Sequence, residues 1–184
     1  MPKTKAGRGG GVRPGLPVDE DGLLVVDGSR NMVVPALVFH ELRRAGVRIL
    51  GRGYWGIAYQ TGEALARRAA AEMRTRLGAS ADSLAIVREL SGWARAHGWG
   101  RDEIVSLDLG SASAVVRTHG CAFDAPDAHG RDAECPLSCG FWAGILEVLS
   151  GRPTLGEETR CISKGDPYCE FTVGPAPPGG PGPA

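Results

Sequence analysis

Four of the five cysteines in this 184-residue chain fall between Cys135 and Cys169. Cys161 and Cys169 flank Ser163-Lys164-Gly165-Asp166-Pro167, and a Gly-Asp-Pro sequence between two β-rich runs reads as a tight turn. The two thiols should therefore face each other across a hairpin. Glu158 lies three residues before Cys161. Either Cys135 or Cys139 begins the preceding helix, whose first position suits Pro136. Three sulfurs and a carboxylate can converge there. Such a set suits a tetrahedral zinc ion, with thiolates at about 2.3 Å and a carboxylate oxygen at about 2.0–2.2 Å; a filled shell makes the metal structural, not catalytic. The competing reading of the same thiols is a disulfide or a pair of buried free thiols.

The elements that must position these donors read as follows. Leu23 to Val26 and Met32 to Val34 are two β-prone runs around Asp27-Gly28, an N-terminal hairpin. Pro35 opens a helical segment that Gly46 interrupts. Val47 to Leu77 reads as one or two long helices, with Ile49, Leu50, Tyr54, Ile57, Ala58, Leu65 and Met73 as the apolar stripe and Arg67, Arg68, Glu72, Arg74 and Arg76 in water. Gly46, Gly53, Gly56 and Gly62 each cost about 1 kcal/mol of helix propensity relative to Ala, so close packing of a backbone or a ligand should compensate. Ser80 is the expected N-cap of a helix from Asp82 to His97. Ile104 to Leu109 and Ala114 to Thr118 read as strands, and Asp124 to Glu134 as a polar surface loop. The order of hairpins and helices predicts an α+β fold, a single domain with a largely antiparallel sheet, long helices and a C-terminal hairpin pinned by zinc. The expected boundaries are a basic Gly-rich disordered tail over 1–20, the domain over 21–174, and a disordered Pro/Gly tail over 175–184.

Lys plus Arg equals Asp plus Glu, 21 against 21, which gives no electrostatic case for direct nucleic-acid binding. No run approaches the roughly 18 apolar residues of a membrane span. An odd number of cysteines and a basic, apolar-poor start predict a cytoplasmic protein with reduced thiols. No nucleophile–base pair or phosphate loop is visible: Gly7 to Gly11 follows no strand and opens no helix. His119 and Cys121 give only a two-ligand metal signal. Four tryptophans stand out in a chain with 6% aromatic residues. Flat, polar-tipped walls of this kind suit planar hydrophobic ligands. The expected ligand-contacting residues are Tyr54, Trp55 and Ile57, then Trp93 and Trp99, then Phe141, Trp142 and Ile145; an ordinary core is the competing reading for each.

Cys135-Pro136, Gly140-Phe141, Gly144, Gly151-Arg152, Glu158-x-x-Cys161 and Gly165-Asp166 with Cys169-x-Phe171 together carry a resemblance. The chain resembles the 4-vinyl reductase domain family, a small-molecule-binding fold of bacteriochlorophyll-pathway proteins, archaeal stand-alone proteins and the sensor domains of aromatic-responsive activators. The resemblance implies a structural zinc on Cys135, Glu158, Cys161 and Cys169, with Cys139 as the spare thiol, and a homodimer. The family's sensors carry a tryptophan where Ser111 to Val116 here offers only small or aliphatic residues, which argues against phenol as the ligand. The implied function is a stand-alone sensor or carrier domain for a hydrophobic or aromatic small molecule. Its alternatives are a tetrapyrrole carrier or a vinyl reductase component, and a protein–protein scaffold.

Overall fold

The computed structural model describes residues 18–26, 28–78, 82–123 and 135–177. Most of the two expected tails, Ser80 and the expected loop from Asp124 to Glu134 lie outside those residues. After Pro35 the chain divides into two compact units. In the first, β1 (Leu24–Val26) pairs antiparallel with β2 (Ser29–Asn31), and Val26 stands opposite Ser29. The second strand is thus the polar Ser29–Asn31, not Met32 to Val34. Gly28, at φ +77°, lets the chain reverse so tightly that pairing is used up before Met32 is reached.

The second unit begins with α1 (Leu37–Leu50) and α2 (Gly53–Leu77). The helical break expected at Gly46 falls instead at Gly51, where φ is +58°. Gly46 stays within α1, and because a Cβ there would run into the Tyr54 ring, its bare backbone makes room for that ring. The buried face of α2 is Ala58, Gly62, Ala66, Ala70 and Met73. Of the expected stripe only Ala58 and Met73 lie on it, while Ile57 and Leu65 are 52% and 41% exposed. The neighbour of α2 explains this. A Cβ on Gly62 would strike the Leu137 carbonyl oxygen and lie 2.8 Å from Phe141 N. A Cβ on Gly144 would lie 2.7 Å from Glu63 O and 2.9 Å from Ala66 Cβ. Two helix backbones approach so closely that the seam admits only small side chains. Gly62 is thus compensated by helix packing, whereas nothing lies within 4 Å of the position a Cβ would take on Gly56.

The partner helix is α4 (Pro136–Ser150), buried continuously from Cys139 to Leu146. A helix that is apolar all round belongs between layers; α4 packs against α2 on one side and against the sheet on the other. α3 (Ser83–Ala96) buries Ile86, Val87, Leu90 and Ala94 and is capped by Asp82, whose carboxylate accepts from Leu84 N at 3.3 Å. The sheet comprises β3 (Arg101–Asp108), β4 (Ser113–His119), β5 (Thr154–Arg160) and β6 (Cys169–Pro175), in the order β3-β4-β6-β5. Every neighbouring pair is antiparallel. β4 alternates, with Ala114, Val116 and Thr118 buried in the core and Arg117 and His119 on the other face. The expected α+β class with an antiparallel sheet and a C-terminal hairpin is the architecture observed.

Candidate metal centre and aromatic cluster

Cys135 occupies the N-cap of α4, and Pro136 follows at the first helical position, where its missing N–H costs nothing. The Cys135 amide donates to Glu158 Oε2 at 2.9 Å. Glu158 lies on β5 beside a register shift between Glu158 and Arg160, an irregularity of the kind that re-aims a side chain. Cys161 follows the strand and opens a single 3₁₀ turn, Ile162–Lys164, closed by Gly165 at φ +94°. The tight turn expected at Gly165-Asp166-Pro167 is therefore preceded by this helical turn, which Gly165 closes. Asp166 holds it: its Oδ2 accepts from Cys161 N at 2.9 Å while its own amide donates to Cys161 O at 3.2 Å. Cys169 begins β6 on the far side.

These four residues bring one donor atom each within 4.8 Å of one another, a cluster that could hold a metal ion. Cys135 Sγ is 3.7 Å from Cys169 Sγ, and Cys169 Sγ is 4.0 Å from Cys161 Sγ. Sulfurs at about 2.3 Å from a tetrahedral zinc would stand about 3.8 Å apart, so the spacing fits. Glu158 Oε1 is buried with no hydrogen-bond partner, which is what a carboxylate ligand leaves when its cation is absent. All five cysteines are buried and none is bridged, so of the two competing readings the disulfide does not describe this fold, whereas buried thiols do. Charge agrees with a cation site. Burial, followed by the neighbouring Cys161, pushes the Glu158 carboxyl up to about 8. The surrounding thiols, Cys121 first, push the Cys135 thiol up as well. Cys135, Glu158 and Cys169 thus resist taking on negative charge side by side, while hydrogen bonds from Cys135 and then Cys169 push the neighbouring Cys121 thiol down; a divalent ion would favour the charged forms of the donors. Cys139, one turn into α4, is kept neutral by burial and then by Glu158. Its sulfur packs where a Cβ on Gly156 would come within 3.0 Å, outside the donor cluster.

Cys121, expected only as half of a two-ligand signal with His119, lies beside the donor cluster. Cys121 Sγ lies 3.7 Å from Cys135 Sγ. His119, by contrast, is engaged by Glu103 Oε2 at 3.2 Å and by the Tyr168 ring, so the His119–Cys121 pair makes no second metal site. Gly120, at φ +62°, turns the chain after β4 and sends Cys121 inward. The signal for Cys121 is its place three residues beyond Thr118, which pairs with Cys169 across the sheet.

Of the residues expected to meet a ligand, four form a connected set of rings: Trp99 lies 5.6 Å from Trp93 and 5.7 Å from Phe141, and Phe141 lies 6.1 Å from Trp142. Phe123, 5.2 Å from Trp99, and Phe39, 5.1 Å from Phe123, extend the set and were not expected in it. Ile145 is buried in the same core as Phe141 and Trp142. Tyr54 and Trp55 contact each other at the start of α2, 6.2 Å apart, and Ile57 is exposed. Among the described residues no ring contact joins this pair to the larger set. Two further buried polar atoms, His40 Nε2 and Ser91 Oγ, have no hydrogen-bond partner.

No protein-family model and no curated protein matches this chain. Solved structures do. The phenol-responsive sensory domain of the transcription activator PoxR, with phenol, is similar at 17% identity and a TM-score of 0.73, over 84% of this chain and 81% of that one. A trafficking protein particle complex subunit 3 from Naegleria fowleri, covalently bound to palmitic acid, is similar at 12% identity and a TM-score of 0.57, over 77% and 93%. A vinyl-4-reductase family protein from Methanocaldococcus jannaschii is similar at 15% identity and a TM-score of 0.51, over 81% and 85%. The chain shares the fold of these proteins, as its resemblance to the 4-vinyl reductase domain family implied.

Proposed function

We propose that the chain is a zinc-stabilised binding domain for a hydrophobic or aromatic small molecule, acting as a sensor or a carrier. The observation that carries this reading is that the donor cluster and the linked aromatic rings belong to one core: Cys135, Cys161 and Cys169 pack together with Phe123 and Phe141, and Trp99 lies against them. Proteins of the same fold are described with phenol and with palmitic acid, which supports an apolar ligand. His40 Nε2 and Ser91 Oγ are unpaired acceptors or donors that a ligand's polar end could satisfy. Cys135, Glu158, Cys161 and Cys169 would hold the zinc. Bound there, the ion supplies a cross-link between the N-terminus of α4 and the β5–β6 hairpin, and so fixes one wall of the aromatic cluster. A tetrapyrrole carrier or vinyl reductase component differs from this reading in its ligand; tight binding of a chlorophyll precursor without turnover in the presence of a reductant would separate carrier from reductase.

Native mass spectrometry of the protein as isolated tests the reading. One zinc per chain and a retained organic mass are expected. A metal-free protein that binds no hydrophobic or aromatic probe would overturn it.

A second reading concerns self-association. α1 buries none of its residues fully and exposes Leu37, Leu42, Ile49 and Leu50 at 62%, 57%, 75% and 50%. The same helix exposes Glu41, Arg44 and Arg48, so its surface carries both signs of charge. Burying these apolar side chains against a like surface would remove them from water, and the occupant we assign to them is a second copy in a two-fold dimer. No helix among the described residues is long and apolar enough to cross a membrane.

A further inference from the structure

Four buried thiols stand in one chain of sulfur contacts. Cys121 Sγ is 3.7 Å from Cys135 Sγ, Cys135 Sγ is 3.7 Å from Cys169 Sγ, and Cys169 Sγ is 4.0 Å from Cys161 Sγ. Cys135, Cys161 and Cys169 belong with Glu158 to the set of donors that could hold a metal ion, and Cys121 does not. Cys121 is thus the member of the chain that an ion in that set would leave uncommitted. Its place against Cys135 is built from both sides. Gly120, at φ +62°, turns the backbone after β4, and the Ala122 amide donates to Trp99 O at 3.2 Å. Cys135 is held at the N-cap of α4, where its amide donates to Glu158 Oε2 at 2.9 Å. A disulfide needs its sulfurs at about 2.03–2.05 Å, so the two must close by about 1.7 Å, a distance that rotations about both Cα–Cβ bonds can supply. Cys121 is 2% exposed, but its sulfur is 3.7 Å from Oγ of Ser138, a partly exposed residue of α4. An oxidant little larger than water needs only local opening there to reach it.

We propose that Cys121 and Cys135 are a redox pair that a peroxide closes to a disulfide, and that this bond withdraws Cys135 from the donor set. The Cys121 sulfur attacks one peroxide oxygen; the O–O bond breaks, one oxygen leaves as water, and Cys121 becomes a sulfenic acid. The Cys135 sulfur then attacks the Cys121 sulfur. The S–S bond forms, the S–O bond breaks, and the Cys135 proton leaves with the hydroxide as a second water. Two thiols and one peroxide become one disulfide and two waters, with two electrons passing from sulfur to oxygen. A sulfur in a disulfide is no longer a thiolate, so the donor set falls to Glu158, Cys161 and Cys169. The start of α4 would then lose the tie that a metal gives it to the β5–β6 hairpin, and the aromatic cluster beside it would respond to oxidant. That consequence rests on the zinc reading above; the disulfide itself does not.

The test is hydrogen peroxide added to the reduced full chain, followed by alkylation of the remaining thiols, tryptic digestion and mass spectrometry. Cleavage at Arg117, Arg131, Arg160 and Lys164 puts Cys121 in 118–131, Cys135 and Cys139 in 132–160, Cys161 in 161–164 and Cys169 in the segment that starts at 165. The expected product is 118–131 joined to 132–160, lighter than their sum by two hydrogens, in the wild type and in Cys139→Ser, and separated again by dithiothreitol. A chelating dye should register the loss of one zinc per chain as the bond forms, whereas Cys121→Ser should keep its zinc at the same peroxide dose. Cys121 recovered alkylated after oxidation, or a bond from Cys135 to Cys169 in its place, overturns the proposal. A chain that forms the Cys121–Cys135 bond but held no zinc when reduced overturns the zinc reading and leaves the redox pair standing. The wild-type peptide map decides the matter even if a Cys121 variant does not fold.

Discussion

Replacing Gly140 by alanine sets two opposed effects against each other, and the structure says which prevails. Alanine improves helix propensity by about 1 kcal/mol over glycine. A Cβ on Gly140, however, would lie 2.8 Å from Tyr59 C and 3.1 Å from Tyr59 Cα, with the Tyr59 carbonyl oxygen nearer still. These are backbone atoms of α2, which no rotamer change can move aside. Ordinary contact begins near 3.4 Å, so α2 and α4 must separate by more than half an ångström along the seam that also contains Gly62 and Gly144. Overpacking of this kind costs about 1–3 kcal/mol and occasionally more. We expect Gly140→Ala to destabilise the protein by a net ~1–2 kcal/mol. Gly92 is the internal control: it is helical in α3, and nothing lies within 4 Å of the position its Cβ would take. Gly92→Ala should stabilise by up to about 1 kcal/mol. The two variants should differ in Tm by roughly 2–12 °C at about 2–4 °C per kcal/mol. Thermal melts followed by circular dichroism, with urea titrations beside them, measure this. If Gly140→Ala melts at or above Gly92→Ala, the close approach of α2 and α4 is wrong.

Three further outcomes follow from the same structure. Cys161→Ser or Cys169→Ser, and strong chelation of the wild type, should each lower stability by several kcal/mol, since apparent zinc energies in small thiolate sites reach about 10–16 kcal/mol; unchanged melting in all three would remove the structural metal. Burial first, and then the charge of Cys121, pushes the Asp102 carboxyl from 3.8 up to about 6, against the hydrogen bond donated by Thr118 Oγ1 at 2.6 Å. A carboxyl raised in the folded state makes stability fall as pH rises from the unfolded value of 3.8 toward about 6. Asp102→Asn should therefore gain about 1–3 kcal/mol over wild type at pH 7 and nothing near pH 3.5; a mutant-minus-wild-type difference flat across urea titrations in that window would refute the burial argument. Leu42→Glu with Ile49→Glu should shift a dimer to monomer in sedimentation velocity without changing the far-UV spectrum. An unchanged sedimentation coefficient would exclude the α1 face as the self-association surface.

What was legible in the sequence was local. The approach of Cys161 to Cys169 could be read because five polar turn residues separate two β-prone runs between them. Pro136 likewise marked the start of α4, since Pro at the first helical position needs no distant contact to be favourable. The sequence left Cys135 and Cys139 as alternatives. Only the packed helix places Cys135 at the N-cap, beside Glu158, and Cys139 one turn farther on, outside the cluster.

The rest depended on partners far away in the chain. The large apolar residues of α2 suggested a stripe through Ile57 and Leu65, yet the buried face is Ala58, Gly62, Ala66 and Ala70, because close approach of α4 rewards small side chains there. Tyr54, Trp55 and Trp99 look alike as aromatic residues in the sequence. Phe123 and Phe39 join Trp99 only because the fold brings α1 and the end of β4 against the turn after α3. Cys121 is the clearest case. Its sulfur reaches Cys135 because β4 pairs with β6 in a register that sets Thr118 opposite Cys169. Residues 51 positions apart are aligned by that pairing. No local propensity encodes such a register; it is chosen by the buried face of the whole sheet, since a one-residue slip would turn every core side chain to the other side.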